Sequence, residues 1–133
     1  EYNVRMGDPE TQVVLPRIQN DLFELLQATA SGTLDSIKLS IDKRSVSTIV
    51  AVSGGYPESY EKGKAIHGID PSDFVVHAGT AMVDKELVTS GGRVLSATGV
   101  GADHNQAIAQ SYQALSKIDF EGIYYRKDIG FDL

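Results

Sequence analysis

The chain has 133 residues, of which 41% are apolar and 23% charged, a composition typical of a globular protein rather than a disordered or fibrous one. Its 18 acidic and 12 basic side chains give a net charge of −6, which argues against nucleic acid as the main partner, because phosphate backbones attract clusters of Lys and Arg. The absence of cysteine excludes disulfides and thiolate zinc sites, and no apolar run approaches the ~20 residues of a transmembrane helix. We therefore expect neither a nucleic-acid nor a membrane partner.

The amino-terminal part predicts a strand followed by two helices. Residues 1–6 alternate polar and apolar side chains, which is the two-residue period of a half-buried strand. The turn Gly7-Asp8-Pro9-Glu10 has the residues that start a helix, since Asp can cap the first N–H groups and Pro suits the first position. A second helix is predicted to begin near Asn20 or Asp21 and to end at Gly32.

From residue 34 onward, short β-type segments separated by Gly, Pro and Asp predominate. The predicted strands are 37–42, 45–52, 74–78, 81–83, 86–89 and 94–98, with a short one at 122–125. One clear helix is predicted over residues 105–118, because its apolar residues recur at helical spacing. The change of composition near residues 32–34 predicts two domains, 1–33 and 34–133.

The polar face of the first strand is the strongest candidate for chemistry. Glu1, Asn3 and Arg5 alternate with apolar residues and therefore point the same way. Carboxylate and amide oxygens suit Mg²⁺, and an arginine two residues further on can hold a phosphate or carboxylate. The pattern is short, and an ordinary solvated strand face explains it equally well. The three histidines lack the spacing of metal ligands.

Longer motifs carry a specific resemblance. Glu-x-Asn-x-Arg followed by Gly-Asp-Pro-Glu-Thr-Gln at residues 1–12 resembles the last active-site strand of the glycinamide ribonucleotide synthetase (phosphoribosylamine–glycine ligase) family, within the ATP-grasp superfamily. Further matches to this family lie at 53–57, 60–63, 77–80, 91–94, 120–122 and 125–130. The chain departs from the family pattern at Glu58, Ala81 and Ser90. The resemblance spans the chain and covers the carboxy-terminal part of such an enzyme.

The resemblance implies a fold and a reaction. The expected fold is α+β: residues 1–33 form the end of an ATP-grasp domain, and residues 34–133 form a β-rich, barrel-sandwich-hybrid-like domain with one main helix. The expected enzyme is a cytoplasmic ligase of de novo purine biosynthesis. It joins glycine to 5-phosphoribosylamine through an acyl phosphate, with ATP as co-substrate and Mg²⁺ or Mn²⁺ as cofactor, and yields glycinamide ribonucleotide, ADP and phosphate.

The resemblance also implies roles for single residues. Glu1 and Asn3 match metal ligands, and Arg5 matches a catalytic group that stabilises the acyl phosphate. The substrate-binding candidates are Asp8, Arg93 and Tyr56. Each of these three keeps a structural alternative: Asp8 as a helix cap, Arg93 as a surface residue of a hairpin, and Tyr56 as an aromatic packed in its turn.

Two other functions are weighed against this one. The chain can be a non-catalytic packing or carrier module, for which Lys85 is the candidate attachment lysine, or part of another ATP-grasp ligase such as a biotin-dependent carboxylase. The continuation at residues 7–12 argues against the carboxylase. Since the chain opens with Glu1 rather than Met, we expect a piece of a longer protein that lacks the amino-terminal and most of the ATP-grasp domain. Such a piece is expected to be inactive, and the apolar stripe of its helices at residues 9–31 is expected to pack either on a second copy of the chain or on the adjacent β domain.

Overall fold

The computed structural model describes residues 4–133, which form two compact units. Unit 1 extends to Arg44, and unit 2 spans Ser45–Leu133. The boundary between the two units lies after Arg44, eleven positions beyond the domain boundary that composition predicted after residue 33. Residues 34–44 therefore belong to unit 1. Glu1, Tyr2 and Asn3 lie outside the described residues. No helix in residues 4–133 is both long and apolar enough to cross a bilayer.

Unit 1 is helical. It contains α1 (Thr11–Val14), a 3₁₀ turn (Leu15–Arg17), α2 (Leu22–Ser31) and a second 3₁₀ turn (Leu34–Ser36). Asp21 caps α2 as predicted, because its Oδ1 accepts hydrogen bonds from the backbone N–H groups of Phe23 at 2.8 Å and Glu24 at 3.3 Å. Gly32 ends α2 in the left-handed conformation at φ 67°, which glycine adopts without strain.

Two strands predicted in unit 1 are not formed in the described residues. Val4 and Arg5 lie in a bend, so the part of the first predicted strand that is described has no β structure. Residues 37–42 make a single β-bridge, between Ile41 and Ile18. Residues 37–42 lie beside the segment that follows the first 3₁₀ turn. The side chain of Asn20 makes part of this contact, since it donates to the carbonyl of Lys38 and accepts from the N–H of Ser40. Side-chain bonds here replace the backbone bonds that a regular pair of strands would form.

Unit 2 is built around one long central strand. Its elements are β1 (Ser45–Val52), β2 (Phe74–His77), β3 (Thr80–Val83), β4 (Glu86–Thr89), β5 (Arg93–Gly101) and α3 (His104–Leu115). β5 lies between β1 and β2 in an antiparallel three-stranded sheet, and β3 and β4 form an antiparallel hairpin. The predicted strand at 122–125 is reduced to one bridge between Tyr124 and Val52.

The helix α3 packs closely on β5 because small residues line the contact. A methyl group on Gly99 would overlap the carbonyl oxygen of Ala107 and lie 2.6 Å from the backbone nitrogen of Ser111. The Ser111 hydroxyl also reaches across to β1, where its Oγ lies 2.7 Å from the Oγ of Ser47. The core on this side includes Leu95 and Leu115, both fully buried.

The carboxy-terminal segment is held by one tyrosine. The Tyr112 hydroxyl donates to the carbonyl of Arg126 at 2.9 Å and accepts from the N–H of Ile129 at 3.1 Å. The ring of Tyr112 also lies 6.3 Å from that of Tyr125. Together the two units confirm a small mixed fold with antiparallel sheets and helices. The ATP-grasp end and the barrel-sandwich-hybrid description stay predictions.

Candidate functional site

Three glycine-containing turns meet at one end of unit 2, and we call this place the glycine junction (residues 53–57, 78–80 and 90–93). The backbone N–H and the hydroxyl of Ser53 donate to the carbonyls of Gly92 and Gly91, at 2.8 Å and 2.9 Å. Gly79 donates its N–H to the carbonyl of Arg93 at 2.8 Å, and its own carbonyl accepts from Ser90 at 2.8 Å. These bonds fix the backbone on both sides of the junction.

The close approach of these turns requires glycine. A methyl group on Gly79 would lie 2.5 Å from the carbonyl oxygen of Arg93 and 2.7 Å from the Cα of Gly91. A methyl group on Gly92 would overlap the ring of Tyr56. The junction therefore depends on direct contact between backbone atoms. Any side chain larger than the hydrogen atom of glycine would push the turns apart.

Tyr56 is part of this packing and also reaches the surface. Its ring lies against Gly92 and meets the ring of Tyr60 edge to face, with centroids 5.9 Å apart. It nevertheless keeps 38% of its surface exposed. Both readings of Tyr56 made from the sequence thus remain open, since a ring can pack in its turn and present its exposed edge to a ligand.

Arg93 is exposed and begins β5 at the junction. The structure therefore brings Arg93 and Tyr56 to the same set of turns, although 36 positions separate them in the chain. An arginine on a fixed backbone suits recognition of an anion, because its planar fork offers two parallel N–H groups to two oxygens.

The remaining predicted site residues belong to unit 1 or lie outside the described residues. Glu1 and Asn3 are not described, so the predicted metal ligands stay a prediction. Arg5 is exposed and donates from its guanidinium to the carbonyl of Met6 at 3.1 Å. Asp8 accepts a hydrogen bond from the side-chain amide of Gln12 at 2.8 Å. The N-cap of α1 is Glu10, so Asp8 does not occupy that position.

No group of three or more His, Asp or Glu side chains that could hold a metal occurs within residues 4–133. His77 has instead a hydrogen-bond partner within its own motif, because its Nδ1 lies 3.1 Å from the hydroxyl oxygen of Thr80.

An ion-pair cluster that the sequence did not single out lies beside the junction. The Lys64 ammonium lies 2.7 Å from a carboxylate oxygen of Glu61 and 3.0 Å from one of Glu121. The hydrogen bond to Glu61, followed by that to Glu121, raises the pKa of Lys64, and the hydrogen bond from Lys64 lowers the pKa of Glu61. Both glutamates belong to motifs that carry the family resemblance. Because they are 60 residues apart in the chain, the sequence does not show that both pair with Lys64.

Comparison with known proteins gives consistent matches. A family model described as "Phosphoribosylglycinamide synthetase, C domain" matches residues 46–132. The phosphoribosylamine–glycine ligase of Caldanaerobacter subterraneus is 44% identical over 131 residues, covering 97% of this chain and 31% of that protein. The ligase of the same name from Nostoc sp. is 46% identical over 137 residues, covering 98% of this chain and 32% of that protein.

A solved structure is similar over nearly the whole chain. The crystal structure of the phosphoribosylamine–glycine ligase from Thermotoga maritima matches with a TM-score of 0.78 and 35% sequence identity. The match covers 96% of this chain and 32% of that one. The chain thus spans 31–32% of the length of these relatives.

Proposed function

Because the chain belongs to the phosphoribosylglycinamide synthetase C-domain family, as its motifs predicted, we propose that it is part of a ligase that joins glycine to 5-phosphoribosylamine. The observation that carries this proposal is the alignment of 97–98% of the chain with phosphoribosylamine–glycine ligases. The reaction proposed for the longer protein converts the glycine carboxylate to an acyl phosphate with ATP. The ribosylamine nitrogen then attacks the acyl carbon, and phosphate leaves. We place this activity in the cytoplasm and in purine biosynthesis.

Arg93 is the residue of unit 2 proposed to hold the substrate phosphate. The carbonyl of Arg93 accepts a hydrogen bond from the N–H of Gly79, which fixes the backbone that carries this arginine. A fixed backbone lowers the entropic cost of binding, which is the benefit of a preorganised site. Tyr56 is proposed to contact the same substrate through its exposed edge.

The residues at the amino terminus are proposed to act on the other reacting groups. Arg5 would stabilise the negative charge of the acyl phosphate, and Asp8 would hold an amine or a ribose hydroxyl. Glu1 and Asn3 would hold Mg²⁺ or Mn²⁺ together with ATP phosphates, and the bound ion would neutralise charge during phosphoryl transfer. The described residues contain no metal cluster of their own, so the proposed site needs ligands from outside residues 4–133.

The substrate role of Arg93 is tested in the longer protein that contains this chain. We expect Arg93→Gln to raise the KM for 5-phosphoribosylamine about 100-fold and Arg93→Lys about tenfold, because a charge-assisted hydrogen bond contributes ~1.5–3 kcal/mol. The KM values for ATP and glycine should change little.

The matched control is Arg126→Gln, which removes another exposed arginine of unit 2 that pairs with Asp128 at 2.9 Å. An unchanged KM in the Arg93→Gln enzyme would exclude the phosphate role of Arg93. A longer protein that forms no ADP in response to glycine and 5-phosphoribosylamine would exclude the ligase itself.

A carrier module is the second candidate, because of one observation. Asp84 and Lys85 form the two-residue turn between β3 and β4, both in the left-handed conformation with φ of 49° and 69°. Lys85 is thereby an exposed lysine at a hairpin tip, which is the position that a carrier lysine requires. The intact mass of the protein purified from its own source separates the two functions, since a carrier would show a covalent adduct at Lys85.

A further inference from the structure

The pairing of β1 with β5 is interrupted where β5 begins. Ala51 lies opposite Leu95, but the next residue, Val52, lies opposite Arg93, so the register shifts between these two pairs. β5 thus has one more residue than β1 at this point, namely Val94. An extra residue of this kind is a β-bulge, which bends the strand and re-aims the side chains beside it. The bulge lies directly after Arg93.

The bulge changes the side of the strand on which Arg93 lies. In a regular strand the side chains of Arg93 and Leu95 would share one face, because residues two positions apart do so. Leu95 is fully buried, and so is Val94 beside it, which shows that the alternation of faces is broken here. Arg93 is exposed. The bulge therefore keeps a charged side chain out of the core, where its burial would be costly.

Ser53 holds the turn that leads into this bulge. It follows β1 directly, and only 4% of its surface is exposed. Its N–H donates to the carbonyl of Gly92 at 2.8 Å, and its hydroxyl donates to the carbonyl of Gly91 at 2.9 Å. Its own carbonyl accepts from the N–H of Tyr56 at 3.1 Å. All three polar groups of Ser53 thus bond within the glycine junction, and two of them fix the residues directly before Arg93.

The hydroxyl is the part of this arrangement that depends on the side chain. Any residue at position 53 except proline offers the same backbone N–H and carbonyl, whereas alanine would remove the donor to Gly91. Two consecutive glycines precede Arg93, and glycine has more accessible backbone conformations than any other residue. The hydroxyl bond to Gly91 therefore restrains the most adaptable part of the chain before this arginine.

We propose that Ser53 is a positioning residue for anion binding, which acts by holding the turn and the bulge in the conformation that directs the guanidinium of Arg93. This inference rests on the phosphate role of Arg93 proposed above. A planar guanidinium pairs with two oxygens only over a narrow range of directions. A change in the direction of the backbone therefore weakens binding even though the positive charge is still present.

The test measures KM and kcat of the longer protein that contains this chain. We expect Ser53→Ala to raise the KM for 5-phosphoribosylamine about fivefold, the effect of one neutral hydrogen bond, and to leave kcat and the KM values for ATP and glycine unchanged. In the Arg93→Gln background the same substitution should not change KM further, because the guanidinium that Ser53 positions is absent. Non-additivity of this kind shows that two residues act together.

The matched control is Ser111→Ala. Ser111 is fully buried, and its hydroxyl oxygen lies 3.1 Å from the carbonyl oxygen of Ser47 and 3.3 Å from that of Ala107. The control therefore removes the bonds of a buried serine hydroxyl to backbone carbonyls, but outside the glycine junction. Its KM for 5-phosphoribosylamine should equal that of the unmodified protein.

The remaining outcomes separate this inference from the proposed function. A rise in KM that persists in the Arg93→Gln background would overturn the positioning role, since Ser53 would then act without Arg93. An equal rise in Ser111→Ala, a rise in the KM for ATP or glycine, a fall in kcat alone, or a Ser53→Ala protein that does not fold would also overturn it. If Arg93→Gln raises KM and Ser53→Ala does not, Arg93 keeps its role and Ser53 loses its own. If neither changes KM, the phosphate role of Arg93 fails as well.

Discussion

The contact between α3 and β5 leaves no room for a side chain at Gly99, and we expect Gly99→Ala to be strongly destabilising. The added methyl group would overlap the carbonyl of Ala107 and lie 2.6 Å from the backbone nitrogen of Ser111, so α3 as a whole must move outward. Both obstacles are backbone atoms, which cannot turn aside as the end of a flexible side chain can.

The size of the effect has two contributions. Overpacking of a tight contact costs typically ~1–3 kcal/mol, and we take the upper value because backbone has to shift. An outward movement of ~1 Å also lengthens the 2.7 Å contact between the hydroxyls of Ser47 and Ser111, and the loss of that hydrogen bond adds about 1 kcal/mol. We therefore expect a loss of about 4 kcal/mol, a large part of the ~5–15 kcal/mol of a typical domain.

Urea unfolding followed by circular dichroism measures this loss, and Gly63→Ala provides the matched control. Gly63 has a φ of +79° and no neighbouring atom within 4 Å of an added methyl group, so its substitution reports backbone strain alone, about 1 kcal/mol. If Gly99→Ala costs no more than Gly63→Ala, α3 does not pack against β5 as closely as described.

The other predictions concern acid stability, the carboxy-terminal segment, nucleotide binding and association. The hydrogen bonds from Ser72, more than that from Lys117, lower the pKa of Asp70 to about 2, so this residue stabilises the fold above its ordinary pKa of 3.8. That stability should be lost as the pH falls from 4 to 2, and Asp70→Asn should flatten the dependence of Tm on pH in this window. Tyr112→Phe should cost about 1 kcal/mol and speed hydrogen exchange at the Ile129 amide, since both hydroxyl bonds disappear. Calorimetry of this chain with Mg·ATP should show no micromolar binding. Light scattering should show association that Phe23→Ser/Leu26→Ser abolishes, because these residues of α2 are 71% and 60% exposed.

Each of these has a result that contradicts it. If Tm depends on pH in Asp70→Asn as it does in the unmodified chain, the hydrogen bonds from Ser72 and Lys117 to Asp70 are not the cause of the loss of stability in acid. Ile129 exchange equal to that of the unmodified chain would mean that Tyr112 does not hold this segment. Micromolar affinity for Mg·ATP would mean that the nucleotide site lies within this chain. A monodisperse monomer before substitution would show that the exposed face of α2 needs no partner.

Local chemistry made some elements predictable. The ends of α2 followed from Asp21 and Gly32, because a cap and a left-handed glycine act within one turn of the helix. The long strand β1 matched its predicted range of residues 45–52, since β-branched residues fill one of its faces and Ile49 lies on the other. In contrast, the alternation over residues 37–42 predicted a strand that lacks a strand partner, a property that no single segment contains.

The sequence identified residues of the candidate site, but it did not show how they are arranged in space. Tyr56 and Arg93 were both named from their motifs, but their convergence depends on hydrogen bonds from Ser53 to the turn before Arg93. Likewise, the close packing of Gly99 and Gly101 on α3 depends on the tertiary approach of a helix, which the spacing of two glycines in the sequence does not reveal.

The antiparallel pairing of β1 with β5 determines when unit 2 can fold during synthesis. Ser45 pairs with Gly101 and Ala51 with Leu95, so the ribosome releases β1 well before any residue of its partner strand exists. Until then Ile49, which becomes almost fully buried, remains exposed to water and to other nascent chains. The cover for β1 comes later still, because α3 ends at Leu115. Closure therefore waits for nearly the whole of unit 2, and such long-range pairing is slow compared with helix formation. We expect unit 2 to fold only after α3 has emerged, with β1 prone to aggregation in the interval.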